Sequence, residues 1–370
     1  MKYYLQHFFN PDLHHLELRP TASGNRSDLY NLGYVQNVIA GQVLARVIPL
    51  TEAGPNPDPR FILPAPTLPA GSNTRIAPEK PTYLLSDANG YVFYCEGKIT
   101  VKKLLNVRSD VSFKTGNIFF VGDLAVHGAV KAGFEAEANN VRIMGMVEGG
   151  VVRARRNLLV DYGCKGGAGG HCRIIAGGAL QATFAEKAML RCNGDIILGT
   201  YCFYCDIYGS GNLLVKGSLN GGRIQVYGSV VVGGQVGNAA GKPMQILLGY
   251  NPAIMRQLER DEKRIAELSG RITHQQAVAG HLPPDASPLS RKLADNIRHR
   301  EFLIQHRDTL WAKLTLDEQH AGECRFIARG EVLPGVEIAI GRAFLLVERP
   351  CSNVMFFLEN DEIVMKKLSS

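Results

Sequence analysis

Cys202-Phe-Tyr-Cys205 is the densest group of metal-capable side chains in the sequence. Cys192 lies ten residues upstream, and Cys164 and His171-Cys172 flank a glycine-rich stretch before it. Thiolate and imidazole suit zinc, and a closed zinc site takes four such ligands in a tetrahedron, usually as two close pairs. Only Cys202 and Cys205 have the close spacing. On an extended strand, residues three apart point to opposite faces, so this pair is expected to diverge. The cysteines therefore read as small apolar residues filling an interior, with no metal or other cofactor bound.

Arg153, Arg155 and Arg156, with Lys165 and Arg173 nearby, offer a basic patch for an acidic partner. Residues 153 and 155 share one strand face, since side chains alternate. Arg264, Arg300 and Arg307 supply further candidate partner contacts on a later helical stretch. The competing reading for the Arg153, Arg155 and Arg156 patch is a solvated outer surface. His7, His14 and His15 read as exposed or edge residues rather than metal ligands. Glycoside hydrolysis needs two carboxyls flanking the scissile bond. The acidic residues available, Asp123, Glu135, Glu137, Glu148, Asp161, Glu186, Asp195 and Asp206, are sparse and form no repeated pair. No catalytic residue is assigned, and a carbohydrate-active enzyme stays the weaker alternative.

The eight cysteines are spread over 370 residues, unlike the dense framework of a small secreted domain, which predicts reduced thiols. Net charge is +7. Residues 1–115 carry +3, 116–250 +4, 251–316 +3 and 317–370 −3. No segment has the concentrated basic face of a dedicated nucleic-acid binder. No apolar run reaches the roughly 18 residues of a membrane span. The first residues turn polar after nine and lack a small-residue cleavage site, so a cytoplasmic location is expected.

The elements that must position these groups come from a repeat. Of 40 glycines, 27 fall between Gly116 and Gly249, far above ordinary usage. Short β-branched segments start at Leu124, Val141, Leu158, Leu180, Ile196, Leu213 and Val230, in steps of 17, 17, 22, 16, 17 and 17. Secondary strands follow at Phe134, Val151 and Ile224. Units this short bury a core only by stacking coil on coil, so the pattern predicts a parallel β-helix. The longest step holds Cys164 to Cys172, read as a loop extruded from the stack. The period leaves the hand of the helix open, although the segments are not regular hexads.

After Asn251-Pro252 the period changes. Ile254, Leu258, Asp261, Ile265, Leu268 and Ile272 form a heptad-like stripe, Ala279 to Ser287 breaks it, and a second runs through Leu289, Leu293, Ile297, Leu303, Ile304, Leu310, Trp311 and Leu314. Two antiparallel helices result, with a seam made leaky by Asp261, Asn296, Arg300 and Arg307. Because glycine-punctuated β pattern resumes after Cys324, the hairpin is inserted rather than appended. The expected parts are an N-terminal α/β or β domain with a proline-rich linker (1–85), the β-helix (86–250), the coiled-coil hairpin (251–316) and a returning β segment (317–370).

Gly41-Gln-Val-Leu-Ala, Asp87-Ala-Asn-Gly-Tyr-Val, Thr115-Gly-Asn-Ile-Phe-Phe-Val-Gly-Asp-Leu-Ala-Val-His-Gly, Gly145-Met-Val-Glu-Gly-Gly, Ala185-Glu-Lys-Ala with Gly194-Asp-Ile, Gly249-Tyr-Asn-Pro and Leu333-Pro-Gly-Val-Glu-Ile-Ala-Ile-Gly follow one another in order. Together they resemble the bacterial flagellar assembly protein A (FapA) family over roughly residues 33 to 345. Asn139-Asn, Arg156-Asn and Gly178-Ala stand where Gly-Asp corners are usual. The resemblance implies a right-handed β-helix with a helical hairpin. It further implies a non-catalytic scaffold that binds flagellar or signalling proteins, with self-association left open. A bactofilin-like polymer is the structural alternative, disfavoured because both ends look capped.

Overall fold

The computed structural model describes residues 2–12, 19–20, 27–28, 30–167, 172–238, 244–279, 288–316 and 318–368. His14, His15, His171 and the break at 280–287 lie outside them. Two compact units emerge, one comprising Met1–Asn193 with Ile197–Thr200, the other Gly194–Ile196 with Tyr201–Ser370.

The first unit opens with a sheet in the order Ile62–Leu63, Tyr3–His7, Val43–Pro49, Lys80–Ser86, Thr74–Ala77, and a second in the order Lys98–Lys102, Gly90–Cys95, Asn37–Val38. Leu5, Leu44, Phe61, Leu68, Leu84, Val92 and Ile99 form their shared core. The proline-rich stretch read as a linker is thus folded in. Asp58 caps a short 3-10 turn, Pro59–Phe61, that drives Phe61 into the core, and Ile62 and Leu63 pair with Tyr4 and Tyr3.

Parallel rungs follow. Leu105, Leu124, Val141, Leu158 and Leu180 stack in one inward column. Ile118, Ala136, Val152, Ile174 and Leu190 stack in another. All ten are buried. The 17-residue step works because it returns the chain to the same corner, where polar side chains hold the rungs together. Asp123 Oδ1 accepts from Asn140 N (3.0 Å), Asn140 Oδ1 from Asn157 N (3.2 Å) and Asn157 Oδ1 from Ala179 N (3.0 Å).

The second unit repeats this construction. Leu213, Val230 and Phe326 stack, as do Ile207, Ile224, Ile246 and Ile338. Its corner ladder runs from Asp195 Oδ1 to Asn212 N (2.7 Å), Asn212 Oδ1 to Ser229 N (2.9 Å) and Ser229 Oγ to Arg325 N (3.0 Å). Between Met244–Leu248 and Arg325–Val332 the chain leaves the rungs as two helices, α1 (Pro252–Ala279) and α2 (Pro288–Leu316). A short turn of helix, α3 (Glu318–Ala321), precedes the return. Val336–Ile340 then pairs in parallel with Met244–Leu248. Antiparallel strands Ala343–Leu346, Cys351–Glu359 and Glu362–Lys367 follow.

Leu258 of α1 packs with Leu310 and Leu314 of α2, His306 meets Asp261, and Asn296 Nδ2 donates to Gln275 Oε1 at 3.0 Å, so the helices run antiparallel. Trp311, placed in the seam by the sequence stripe, is 48% exposed instead. Leu310 and Leu314 already fill that face, one turn apart.

Candidate functional site

Cys202 and Cys205 do not diverge as the alternation rule predicted. Both are buried, and the residue between them that breaks the alternation is Tyr204, at φ +54°. A left-handed residue turns the strand by an extra step, so the side chain after it returns to the inward face. The partner strand bends with it: Cys202 pairs with Leu219 and Cys205 with Gly222, whose own φ is +86°. A Cβ at Gly222 would sit 2.1 Å from Cys205 O, so only glycine fits there. Tyr204 is left pointing outward, 45% exposed.

The thiols act as donors to backbone carbonyls. Cys192 Sγ donates to Gly178 O (2.8 Å), Cys172 Sγ to Val147 O (3.7 Å) and Cys205 Sγ to Phe203 O (3.4 Å). Cys164 is buried in the rung stacked on Val147. Among the described residues no group of three or more His, Cys, Asp or Glu side chains is placed to hold a metal ion.

A cluster the sequence reading passed over lies at α3. His320 stacks on Tyr227 with ring centres 4.0 Å apart, its Nε2 lies 3.0 Å from Tyr227 O, and its Nδ1 lies 3.7 Å from Glu323. Cys324 Sγ donates to Tyr227 O (3.2 Å) and His320 O (3.4 Å). Histidine beside cysteine suggests a nucleophile, but burial pushes the Cys324 thiol up to about 11, so it stays protonated at neutral pH. The His320-x-x-x-Cys324 spacing was the visible signal; Tyr227, distant in sequence, was not.

The arginine patch is divided among carboxylates of the neighbouring coil. Arg153 Nη1 lies 2.6 Å from Glu135 Oε2, and Arg155 Nη2 lies 3.7 Å from Glu137 Oε1. Arg142 meets Asp161 (2.9 Å), Lys131 meets Glu148 (3.0 Å) and Lys165 meets Glu186 (3.2 Å). Arg156 lies near Asp123; burial opposes that carboxylate's charge, but hydrogen bonds from Asn140 and Asn139, helped by Arg156, hold its pKa below the usual range. The acidic residues weighed for glycosidase chemistry are thus largely spent on joining coils. On the helices, Arg264 pairs with Glu267 (3.0 Å) and Arg307 with Asp308 (2.8 Å), while Arg300 Nε is buried with no hydrogen-bond partner among the described residues.

His7 is not the exposed or edge residue expected. Its ring packs edge-on against Phe9, Phe61 and Tyr94. Burial, reinforced by Arg60, lowers its pKa to about 4, so it is neutral at pH 7.

The family model described as "Flagellar Assembly Protein A beta solenoid domain" matches residues 103–363. The chain belongs to the FapA family. The match begins at the first solenoid rung, spans both helices and runs into the last strand, and the description names an assembly protein rather than a reaction. All six candidate arginines of this FapA chain, three on the solenoid and three on the helices, fall inside the match. No curated protein and no solved structure matches the chain. No helix among the described residues is long and apolar enough to cross a membrane.

Proposed function

We propose that this chain is a non-catalytic cytoplasmic scaffold that works through protein contacts in flagellar assembly or its control, with the helical pair as its recognition arm. The family match over the solenoid carries this reading. The side chains support it, because groups that could do acid, base or metal chemistry are engaged in joining coils or donating to carbonyls. In this reading the β-helix is right-handed, residues 251–316 form a coiled-coil hairpin and 317–370 return to the β-helix; the β-helix expected from residue 86 begins instead at Leu104, because Gly90–Cys95 and Lys98–Lys102 form a sheet with Asn37–Val38 and share the N-terminal core. The hairpin's base rests on the solenoid through Arg223–Glu259 (3.5 Å) and Arg256 over the Tyr208 ring (5.7 Å), which leaves its length available to a partner. Arg264, Arg300 and Arg307 are the proposed contacts there, with Arg153, Arg155 and Arg156 on the solenoid.

Affinity capture from native lysate with the intact chain and with residues 253–315 replaced by a Gly-Ser link, alongside flagellar number and motility in a deletion strain, tests this. The scaffold reading expects a flagellar or signalling protein retained only by the intact chain, and altered motility. Normal flagella together with filaments of the purified protein in electron micrographs would favour the polymer instead.

A further inference from the structure

Among the described residues the strand Glu362–Lys367 is paired along one edge. Its partner is Cys351–Glu359, in the register Glu359↔Glu362, Phe357↔Val364 and Met355↔Lys366. Asn360 and Asp361, at φ +50° and +62°, make the two-residue turn between them, which suits the twist of a hairpin. Among the described residues no backbone group bonds to the other edge. Hydrogen bonding alternates along an antiparallel pair. The turn closes on Glu362, and Leu368 N donates to Asn353 O at 2.8 Å, so even-numbered residues direct their backbone groups toward Cys351–Glu359. Those of Ile363, Met365 and Lys367 face away from it.

The side chains on this edge are ordered by charge. Asp361 and Glu362 are acidic, Ile363, Val364 and Met365 apolar, Lys366 and Lys367 basic. Met365 is 50% exposed despite its apolar side chain. Read backwards, the segment offers base, apolar, acid. An antiparallel copy laid along the edge with Val364 opposite Val364 sets Ile363 against Met365 and Glu362 against Lys366, and brings Asp361 to Lys367, each contact occurring twice by symmetry. Opposed residues share a sheet face, as cross-strand pairing requires. The Ile363 and Met365 backbone groups meet those of the copy. Centring the pair on Met365 instead would set Lys366 against Val364 and Lys367 against Ile363, losing every ion pair.

We infer that this edge is a homodimer interface, in which two copies join through Glu362–Lys367 about a twofold axis at Val364 and form a four-stranded antiparallel ribbon. Lysines on a free edge ordinarily discourage pairing. Here the acidic end answers the basic end, so the same charges reject foreign edges and accept this one. The twofold closes on itself and stops at two chains. A single short strand per chain buries little area, so the dimer is weak and concentration-dependent.

Sedimentation equilibrium of the whole chain over a wide concentration range, with thermal melting as a control for the fold, tests this. A monomer–dimer equilibrium that weakens with salt is expected. Lys366→Glu or Glu362→Lys alone opposes like charges at two symmetry-related places and weakens association about tenfold. Combining them restores it. Met365→Pro, which removes an outward-facing N–H while leaving the bonds to Cys351–Glu359, abolishes it. A chain that stays monomeric at every concentration overturns the inference. So does a dimer indifferent to the single swaps, or a double variant that melts like the parent yet fails to recover.

Discussion

Leu213, Val230 and Phe326 stack in the solenoid without measurable exposure, whereas the seam between α1 and α2 holds Asp261 at 3% exposure, within 2.7 Å of His306 and 2.8 Å of Gln257. The two regions face different geometric constraints. An inward solenoid side chain has a rung above and below it and is buried, so a polar group there would lose hydration with nothing to replace it. Ionic groups are displaced to the outer faces. Two helices share a single seam, with water along both flanks, so a carboxylate can stay inside if a neighbour reaches in to meet it. Such a pair stabilises little by itself but fixes which turn of one helix faces which turn of the other.

The sharpest way to break this comparison is to place a charge in both settings. Leu213→Asp buries an unpaired carboxylate between rungs and is expected to cost at least about 4 kcal/mol, enough to remove the cooperative melt. A variant that melts like the parent would show the inward face to be misassigned. Between α1 and α2 a carboxyl group is already present, and removing it with its partner should have the opposite sign. Asp261→Leu with His306→Leu is expected to stabilise α1 and α2 by roughly 1–2 kcal/mol. Trp311 is the chain's one tryptophan and sits on α2, so its fluorescence during denaturant unfolding follows this region directly. A large loss of stability would mean that the polar pair holds the helices together.

His7 extends the comparison to the N-terminal sheets. Its imidazole titrates near 6.5 when unfolded and at about 4 when folded, so between these values the unfolded chain takes a proton that the folded chain refuses. Stability is therefore whole above pH 6.5 and falls as the pH drops toward 4, by about 1–2 kcal/mol once solvent screening of a part-exposed ring is allowed for. Melting of the parent and of His7→Phe at pH 7 and 4.5 should show that difference shrink in the variant. The smallest effect belongs to the outer ladder: Arg153→Ala should cost no more than about 0.5 kcal/mol, measured by urea denaturation. A cost above 2 kcal/mol would make the Glu135 pair a structural element in its own right.

Much of the solenoid was legible in the residues. Leu124, Val141, Leu158 and Leu180, picked out by spacing, are register partners in successive rungs, and Val230 continues from Leu213 in the same way. The proline-rich segment was misread because proline composition signals a turn or linker locally, while Phe61 and Leu68 commit it to a core built from distant strands. Cys202 and Cys205 were assigned to opposite faces because alternation assumes an unbroken strand, and nothing in Phe203-Tyr204 announces a left-handed tyrosine.

The candidate site shows the same division. Residue types and spacing by themselves determined the coil period, the inward columns, the helical stripes and the alternation of charge along Glu135–Ala138 and Val151–Ala154, since each is a relation between near neighbours in the chain. Only the tertiary structure decided that Arg153 meets Glu135, that His320 stacks on Tyr227, and that Glu362–Lys367 pairs along one edge with Cys351–Glu359. The reason is physical. Such contacts depend on the register between rungs and on what covers each edge, and both are set by side chains many residues away that compete for the same buried space.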